Sequence, residues 1–212
     1  MRVGREPVVR AGLKLLNEGG LEAVTLRAIA AELGVKAPTL YWRFKNKQDL
    51  VDDMASRVLV DWAESFRGLL PTVSWQDWAL AYGVSLHGML LRYRDGARMV
   101  SGSRLTDTRL YASMERALEM FQTHGIAPSA AALCMTTIYS YVIGFTIEQQ
   151  AVLSPKGERD PRYALSEREA LVDAERYPLS RSIGPDVFDN YEARLERGLR
   201  VIVAGFAQEI SA

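Results

Sequence analysis

Apolar residues recur every three or four positions along most of the chain, which is the spacing of amphipathic helices. In the first fifty residues this pattern predicts one helix over about 5–18, a second that begins after Thr25 and a short third over 38–44. Gly34 ends the second helix, and Pro38 suits the first turn of the third because its missing N–H would be unpaired there anyway. Two short helices joined by a glycine-containing turn are typical of a helix-turn-helix.

Longer helices are predicted in the rest of the chain, at about 47–66, 75–92, 95–101, 107–124, 129–153 and 186–208. The segment 154–182 is rich in charge, proline and serine, and predicts a mobile excursion with one short helix at 166–175. No strand pattern occurs. The prediction is therefore an all-α fold, with a helix-turn-helix domain over 1–50, a linking helix, and a larger helical ligand-binding and dimerisation domain over 67–212.

Charge is distributed unevenly along a chain whose formal net charge is zero. Residues 1–50 contain nine Lys and Arg against five Asp and Glu, so the first fifty residues are basic and the remainder is acidic. This asymmetry is expected when only one part of a protein meets phosphate. A charged N-terminus and the lack of a sufficiently long uninterrupted apolar run predict a cytoplasmic protein without membrane contact.

Enzyme chemistry is not indicated. The single cysteine, Cys134, and the two histidines, His87 and His124, have no metal-ligand spacing, and no Gly-rich phosphate loop occurs. His87 is interpreted as a partly buried histidine with a hydrogen-bond partner rather than as a base or a metal ligand. We expect no cofactor and no metal.

The segment VTLRAIAAELGVKAPTLYWRFKNKQDLV (24–51) resembles the DNA-binding signature of the TetR family. Further along, WQDW (75–78), LLRYRDGAR (90–98) and EQQ (148–150) resemble the C-terminal domain of the tetracycline-repressor subfamily. The resemblance implies an all-helical dimer that binds DNA and responds to a small molecule.

The residues expected to contact DNA lie on or beside the helix-turn-helix: Arg27, Lys36, Ala37, Pro38, Thr39, Tyr41, Trp42 and Lys47. Lys36 is placed to donate to guanine, and Ala37 and Pro38 are limited to apolar contact with bases. The resemblance places Arg27 near a base, and the hydroxyl, indole and lysine groups are expected on phosphates. The alternatives are a solvated Lys36 and partial core burial of Tyr41 and Trp42.

Polar and apolar side chains mix along the predicted body helices in the way of a ligand pocket, although aromatics and methionines at helical spacing are as often plain core. The candidates are Tyr82, Leu86, His87, Val100, Ser103, Arg104, Tyr111, Met114, Thr137, Tyr141 and Glu148. We expect an apolar or aromatic effector. A DNA-binding protein without any inducer is the rival hypothesis.

The resemblance also predicts a departure from the tetracycline repressor. That repressor binds a magnesium-tetracycline chelate through a histidine on the short helix after RYRDGA, where this chain has Met99 and Val100. Neither side chain binds Mg²⁺, which takes oxygen ligands. The family also holds the polar edge of the drug with a histidine on the linking helix and an asparagine after the WQ motif, and the matching positions here fall within 63–66 and at about Tyr82. Glu148 matches a family glutamate that meets the metal only through water. We therefore expect no induction by magnesium-tetracycline.

A twofold dimer follows from the geometry of DNA, because two recognition helices about 34–36 Å apart read two half-sites of a palindrome. The helices 129–153 and 186–208 are the candidates for a four-helix interface, with Gly198 and Gly205 allowing close approach. The alternative is that these helices pack only within one chain.

Overall fold

The computed structural model describes residues 4–65 and 73–210. Within these ranges all regular elements are helices, and the one strand-like contact is an isolated bridge between Leu153 and Arg159. The predicted all-α fold is confirmed.

The N-terminal helices are α1 (Arg5–Gly19), α2 (Leu26–Glu32) and α3 (Pro38–Tyr41), which we call the head, followed by the linking helix α4 (Lys47–Ser65). Two of these helices begin at polar caps. Thr25 Oγ1 accepts a hydrogen bond from Ala28 N at 3.1 Å, and Asn46 Oδ1 accepts one from Asp49 N at 2.9 Å. Such caps satisfy amide groups that have no partner in the first turn.

Helix α3, the second helix of the predicted helix-turn-helix, is shorter than the predicted 38–44. It ends at Tyr41, and Trp42 and Arg43 form a turn. Phe44 nevertheless donates its backbone N–H to Leu40 O at 3.0 Å, and both side chains are buried in the head core. Both side chains therefore lie in the head core although the helix ends before Phe44.

The body consists of α5 (Trp75–Leu91), α6 (Gly96–Val100), α7 (Arg109–Thr123), α8 (Pro128–Val152), α9 (Leu165–Leu171), α10 (Pro178–Ser182), α11 (Gly184–Phe188) and α12 (Tyr191–Glu209). Helices α5, α8 and α12 pack on one another, and α4 contacts α6 and α7. Helix α8 is the one described helix with the length and apolar composition of a membrane span, a test that core helices also pass.

The last predicted helix, 186–208, is wrong in one respect, because the structure breaks it into α11 and α12. Asn190 adopts a left-handed conformation with φ of 53°, which asparagine tolerates better than most residues. Asp189 pairs there with Arg159, whose Nη2 lies 2.7 Å from Oδ1. Phe188 and Tyr191 keep three-residue spacing across the break, so the apolar pattern gave no sign of it.

The helix predicted at 166–175 is present as the shorter α9, and the segment 154–182 has more regular structure than the one helix predicted for it. It contains a 3-10 helix (Pro161–Tyr163), α9 and α10. Arg159 and Arg181 hold it through backbone carbonyls, with Arg159 Nη2 donating to Phe188 O at 2.8 Å and Arg181 Nη1 to Val172 O at 3.0 Å. The apolar pattern did not predict these short helices because hydrogen bonds from arginine side chains, rather than an apolar stripe, hold them together.

Candidate functional site: an exposed head surface and an apolar cavity

Pro38 and Tyr41 lie exposed on α3, and Trp42 lies exposed directly after it. Tyr41 is 50% exposed and Trp42 is 55% exposed, so neither is buried against α1. The Arg43 guanidinium carbon lies 4.6 Å from the centre of the Trp42 ring. The other expected contacts are exposed at Arg27, Lys36 and Pro38 and half-buried at Ala37 and Thr39.

Lys47 has protein partners in this structure. Its Nζ donates to Leu21 O at 2.7 Å and lies 3.9 Å from Glu22 Oε2. The ammonium therefore ties the 3-10 helix Leu21–Ala23 to the start of α4, a long-range contact that sequence spacing does not reveal.

An apolar cavity of about 300 Å³ lies in the body between α4, α5, α7 and α8. Its lining residues are Leu59, Trp62, Ala63, Trp78, Tyr82, Leu105, Leu110, Ser113, Met114, Arg116, Ala117, Met135, Thr136 and Tyr139. Tyr82 and Met114 are the two sequence-predicted ligand residues among them. We call this space the apolar cavity.

Aromatic rings form one side of the apolar cavity. The Tyr82 ring stacks on Trp78 with centres 5.2 Å apart, and its centre lies 5.3 Å from that of Trp62. Trp62 Nε1 donates to Ser85 Oγ at 2.7 Å, which fixes that indole. Burial raises the pKa of the Tyr82 hydroxyl above its ordinary value, so Tyr82 remains a neutral hydroxyl at physiological pH.

Arg116 is the one charged side chain that lines the apolar cavity among the described residues. Its Nη2 donates to Ser113 Oγ at 3.0 Å. Its Nε is shielded from solvent and has no hydrogen-bond partner in the described part of the chain. The sequence-based list did not include Arg116, since an arginine on an amphipathic helix is usually solvated.

The other predicted ligand residues do not line this cavity. Leu86 and Val100 are buried in the core, and Tyr111, Thr137 and Glu148 are exposed. Helical periodicity identifies the inner face of each helix, but it does not show where neighbouring helices leave a gap.

The polar candidates bond elsewhere in the chain. Tyr141 donates its hydroxyl to Arg194 O at 3.4 Å, and Ser103 donates its own to Met99 O at 2.6 Å. His87 Nε2 lies 2.7 Å from Gln149 Oε1, and burial lowers the pKa of this histidine, so its ring is neutral at pH 7. The described residues contain no group of three or more His, Cys, Asp or Glu side chains suited to a metal ion.

The segment 101–108 joins the apolar cavity to the buried polar face of α4. Leu105 lines the cavity, and its neighbours bond to α4. Arg104 N donates to Asp52 Oδ1 at 3.1 Å and Thr106 N to Ser56 Oγ at 2.8 Å, and both acceptor residues are buried.

Asp53 extends this connection to α1. Its carboxylate accepts from Thr106 Oγ1 at 3.0 Å and from Arg5 Nη2 at 2.9 Å, and Arg5 Nε lies 2.6 Å from its second oxygen. The Asp53 side chain is only 6% exposed. One carboxylate thus bonds to the first helix of the head and to the segment that borders the cavity.

A second, polar cleft of about 710 Å³ lies where the head meets the body. Groups along it bond across the junction. Leu21 N donates to Asp95 Oδ2 at 2.8 Å, and Arg94 N donates to Asn17 Oδ1 at 3.0 Å. These bonds hold α1 and the 3-10 helix of the head to the start of α6.

Two family models together cover nearly all of the chain. The model described as "Bacterial regulatory proteins, tetR family" matches residues 8–54, and the one described as "Tetracyclin repressor-like, C-terminal domain" matches 68–210. The chain belongs to the TetR family of transcriptional regulators.

Full-length relatives support this assignment. The regulator is 32% identical to the tetracycline repressor protein class D of Escherichia coli, across 100% of this chain and 92% of that protein. A possible TetR family transcriptional regulator from Streptomyces coelicolor A3(2) superposes with a TM-score of 0.83 at 29% identity, covering 97% and 99% of the two chains. A TetR variant from Acinetobacter baumannii AYE in complex with minocycline superposes with a TM-score of 0.71 at 27% identity, covering 97% of each chain.

Proposed function

We propose that this TetR-family regulator is a homodimeric repressor that binds a palindromic operator and is released when a small molecule occupies the apolar cavity. One observation carries the proposal. Helix α4 contributes Leu50 and Met54 to the buried core beside the head and, two turns later, Leu59 and Trp62 to the cavity lining. A ligand in the cavity therefore touches the helix that supports the DNA-binding head. Its relatives are transcriptional regulators, and we propose no catalytic activity for this protein.

The segment 101–108 supplies a second route from the cavity to the head. A ligand that displaces Leu105 also shifts Thr106, which bonds to Asp53 and through it to Arg5 of α1. Ligand binding would then favour an arrangement of the two heads that no longer matches the spacing of the grooves. Such a shift requires only that the ligand bind one arrangement more tightly than the other.

The proposed dimer interface is formed by the exposed faces of α8 and α12. Leu133 on α8 is 55% exposed and Val201 on α12 is 67% exposed in the protomer. A side chain at Gly205 would enter open space, whereas one at Gly198 would collide with the Tyr141 hydroxyl. Gly198 is therefore required within the chain, and Gly205 alone keeps the role proposed for both.

Residues 1–50 are proposed as the DNA-binding domain and 67–212 as the ligand-binding and dimerisation domain. The protein is proposed to act in the cytoplasm. Base contact is assigned to Arg27 and Lys36, which are exposed beside the recognition helix. Phosphate contact is assigned to Tyr41 and Trp42, together with Thr39 and Lys47. Lys47 would have to share its ammonium with Leu21 O or exchange that partner for a phosphate oxygen.

The inducer is proposed to differ from magnesium-tetracycline, although several relatives are tetracycline repressors. Met99 and Val100 occupy the short helix α6 and are buried in the core, so that helix offers no metal ligand from these two side chains. Titration of tetracycline fluorescence with the protein should show no Mg²⁺-dependent binding at micromolar concentration. Tight binding that requires Mg²⁺ would contradict this proposal.

The function is tested by selecting genomic duplexes with the purified protein and measuring affinity against salt. We expect a palindrome, and a decrease in log K with log[salt] of about 0.9 for each neutralised phosphate. A salt-independent affinity, or no selected duplex, would refute DNA binding. Cavity ligands should weaken the complex, and retention of the operator with the cavity filled would favour a regulator that needs no inducer.

A further inference from the structure

Arg116 gives the apolar cavity a chemical preference that its aromatic lining alone would not have. We infer that the effector is an organic acid with a flat aromatic body, whose anionic group pairs with the Arg116 guanidinium. This inference rests on the proposed small-molecule control and specifies the class of ligand.

Hydrogen bonds within the described residues satisfy the Arg116 guanidinium only in part. Arg116 Nη2 donates to the hydroxyl of Ser113, a neutral acceptor. Its Nε is shielded from solvent without a partner, and none of the ion pairs found among the described residues includes Arg116. An arginine keeps its charge in proteins and presents five N–H donors. Most of its hydrogen-bonding capacity therefore remains for an incoming group.

Covering this charge with a ligand costs free energy unless the ligand supplies a new partner. A neutral apolar ligand that filled the cavity would remove water from the guanidinium and give it no new partner, which is unfavourable. A carboxylate or sulfonate restores charge-assisted hydrogen bonds at the same place. The cavity should therefore prefer an acid to a neutral molecule of the same shape.

Neutral hydroxyls and aromatic rings share the cavity lining with Arg116. Tyr82 and Tyr139 line the same cavity, and burial raises the pKa of both hydroxyls, so neither brings a competing negative charge. Trp78 and Tyr82 stack with ring planes 21° apart, a surface that suits a flat ring system. The lining thus combines one cation with aromatic faces and has no acidic side chain among the described residues.

The experiment compares two fluorescent probes of one ring skeleton, the anionic 1-anilinonaphthalene-8-sulfonate and the neutral N-phenyl-1-naphthylamine. Both are titrated into the wild-type regulator and into Arg116→Met and Arg116→Gln, at fixed ionic strength. We expect the wild type to bind the anionic probe at least tenfold more tightly than the neutral one. In both variants this preference should disappear, because the affinity for the anionic probe decreases and the affinity for the neutral probe does not.

Arg109→Met is the matched control, because it removes a charge from the same helix at a residue that pairs with Asp107 and does not line the cavity. It should bind both probes like the wild type, and circular dichroism checks that every variant is folded. Equal affinity of the wild type for the two probes, or an acid preference that persists in both Arg116 variants, would overturn the inference and leave the proposed function intact. If neither probe binds the wild type, the inference for flat aromatic acids is overturned, whereas the proposed function is decided by the operator experiment above.

Discussion

Substitutions at two residues that lie two positions apart on α12 should have different effects if the proposed dimer is correct. Val201 is 67% exposed in the protomer, whereas Leu199 is fully buried. Leu199 packs so closely on α5 that a Cβ added to Gly83 would lie 2.6 Å from its Cδ2 atom. Val201→Glu should therefore disrupt the dimer, and Leu199→Glu should unfold the protomer.

The magnitude follows from symmetry and burial. In a twofold interface Val201→Glu places two carboxylates in surroundings that the partner helix removes from water. At a conservative ~2 kcal/mol for each buried carboxylate, the dimer loses about 4 kcal/mol, which raises its Kd roughly a thousandfold. The isolated protomer loses little, since that side chain already faces solvent.

Sedimentation velocity at micromolar concentration and circular dichroism separate the two effects. We expect Val201→Glu to sediment as a folded monomer with weakened operator binding, and Leu199→Glu to lose helical signal. A Val201→Glu protein that remains dimeric would refute the α8–α12 interface. A fully folded Leu199→Glu protein would show that the packing of α12 on α5 is misassigned.

Three further predictions concern the head and the core. Lys36→Ala should change preference at one base pair by about 1–3 kcal/mol in competition with operator variants, and an equal loss on all duplexes would instead indicate phosphate contact. Arg5→Ala should lower the urea midpoint more than Asp53→Asn does, at fixed protein concentration, because it leaves the nearly buried Asp53 carboxylate with fewer donors. The expected loss of unfolding free energy is about 1–3 kcal/mol, and equal shifts would contradict this reasoning. Burial lowers the pKa of His87, so the unfolded chain binds a proton at this histidine more tightly than the folded one does. The free energy of unfolding should therefore fall as the pH drops below 6.5, and His87→Gln should reduce this pH dependence.

Local signals in the sequence determined much of the head. Thr25 and Asn46 cap the helices they precede, and Leu40 and Phe44, four positions apart, are both buried in the core. These features depend on hydrogen bonds and contacts between residues within about one helical turn, so the sequence pattern carries them directly. The all-helical body and the family resemblance were likewise readable from periodicity and short motifs.

The tertiary structure alone decided which residues enclose the apolar cavity. Two of the predicted ligand residues, Tyr82 and Met114, line it, whereas Arg116 was identified only once α4, α5, α7 and α8 were placed together. The same holds for Asp53, which bonds to residues 48 and 53 positions away along the chain. A cavity is space that several packed helices leave unfilled, and a partly buried ion pair joins distant segments, so neither leaves a periodic signature in the sequence of any one helix.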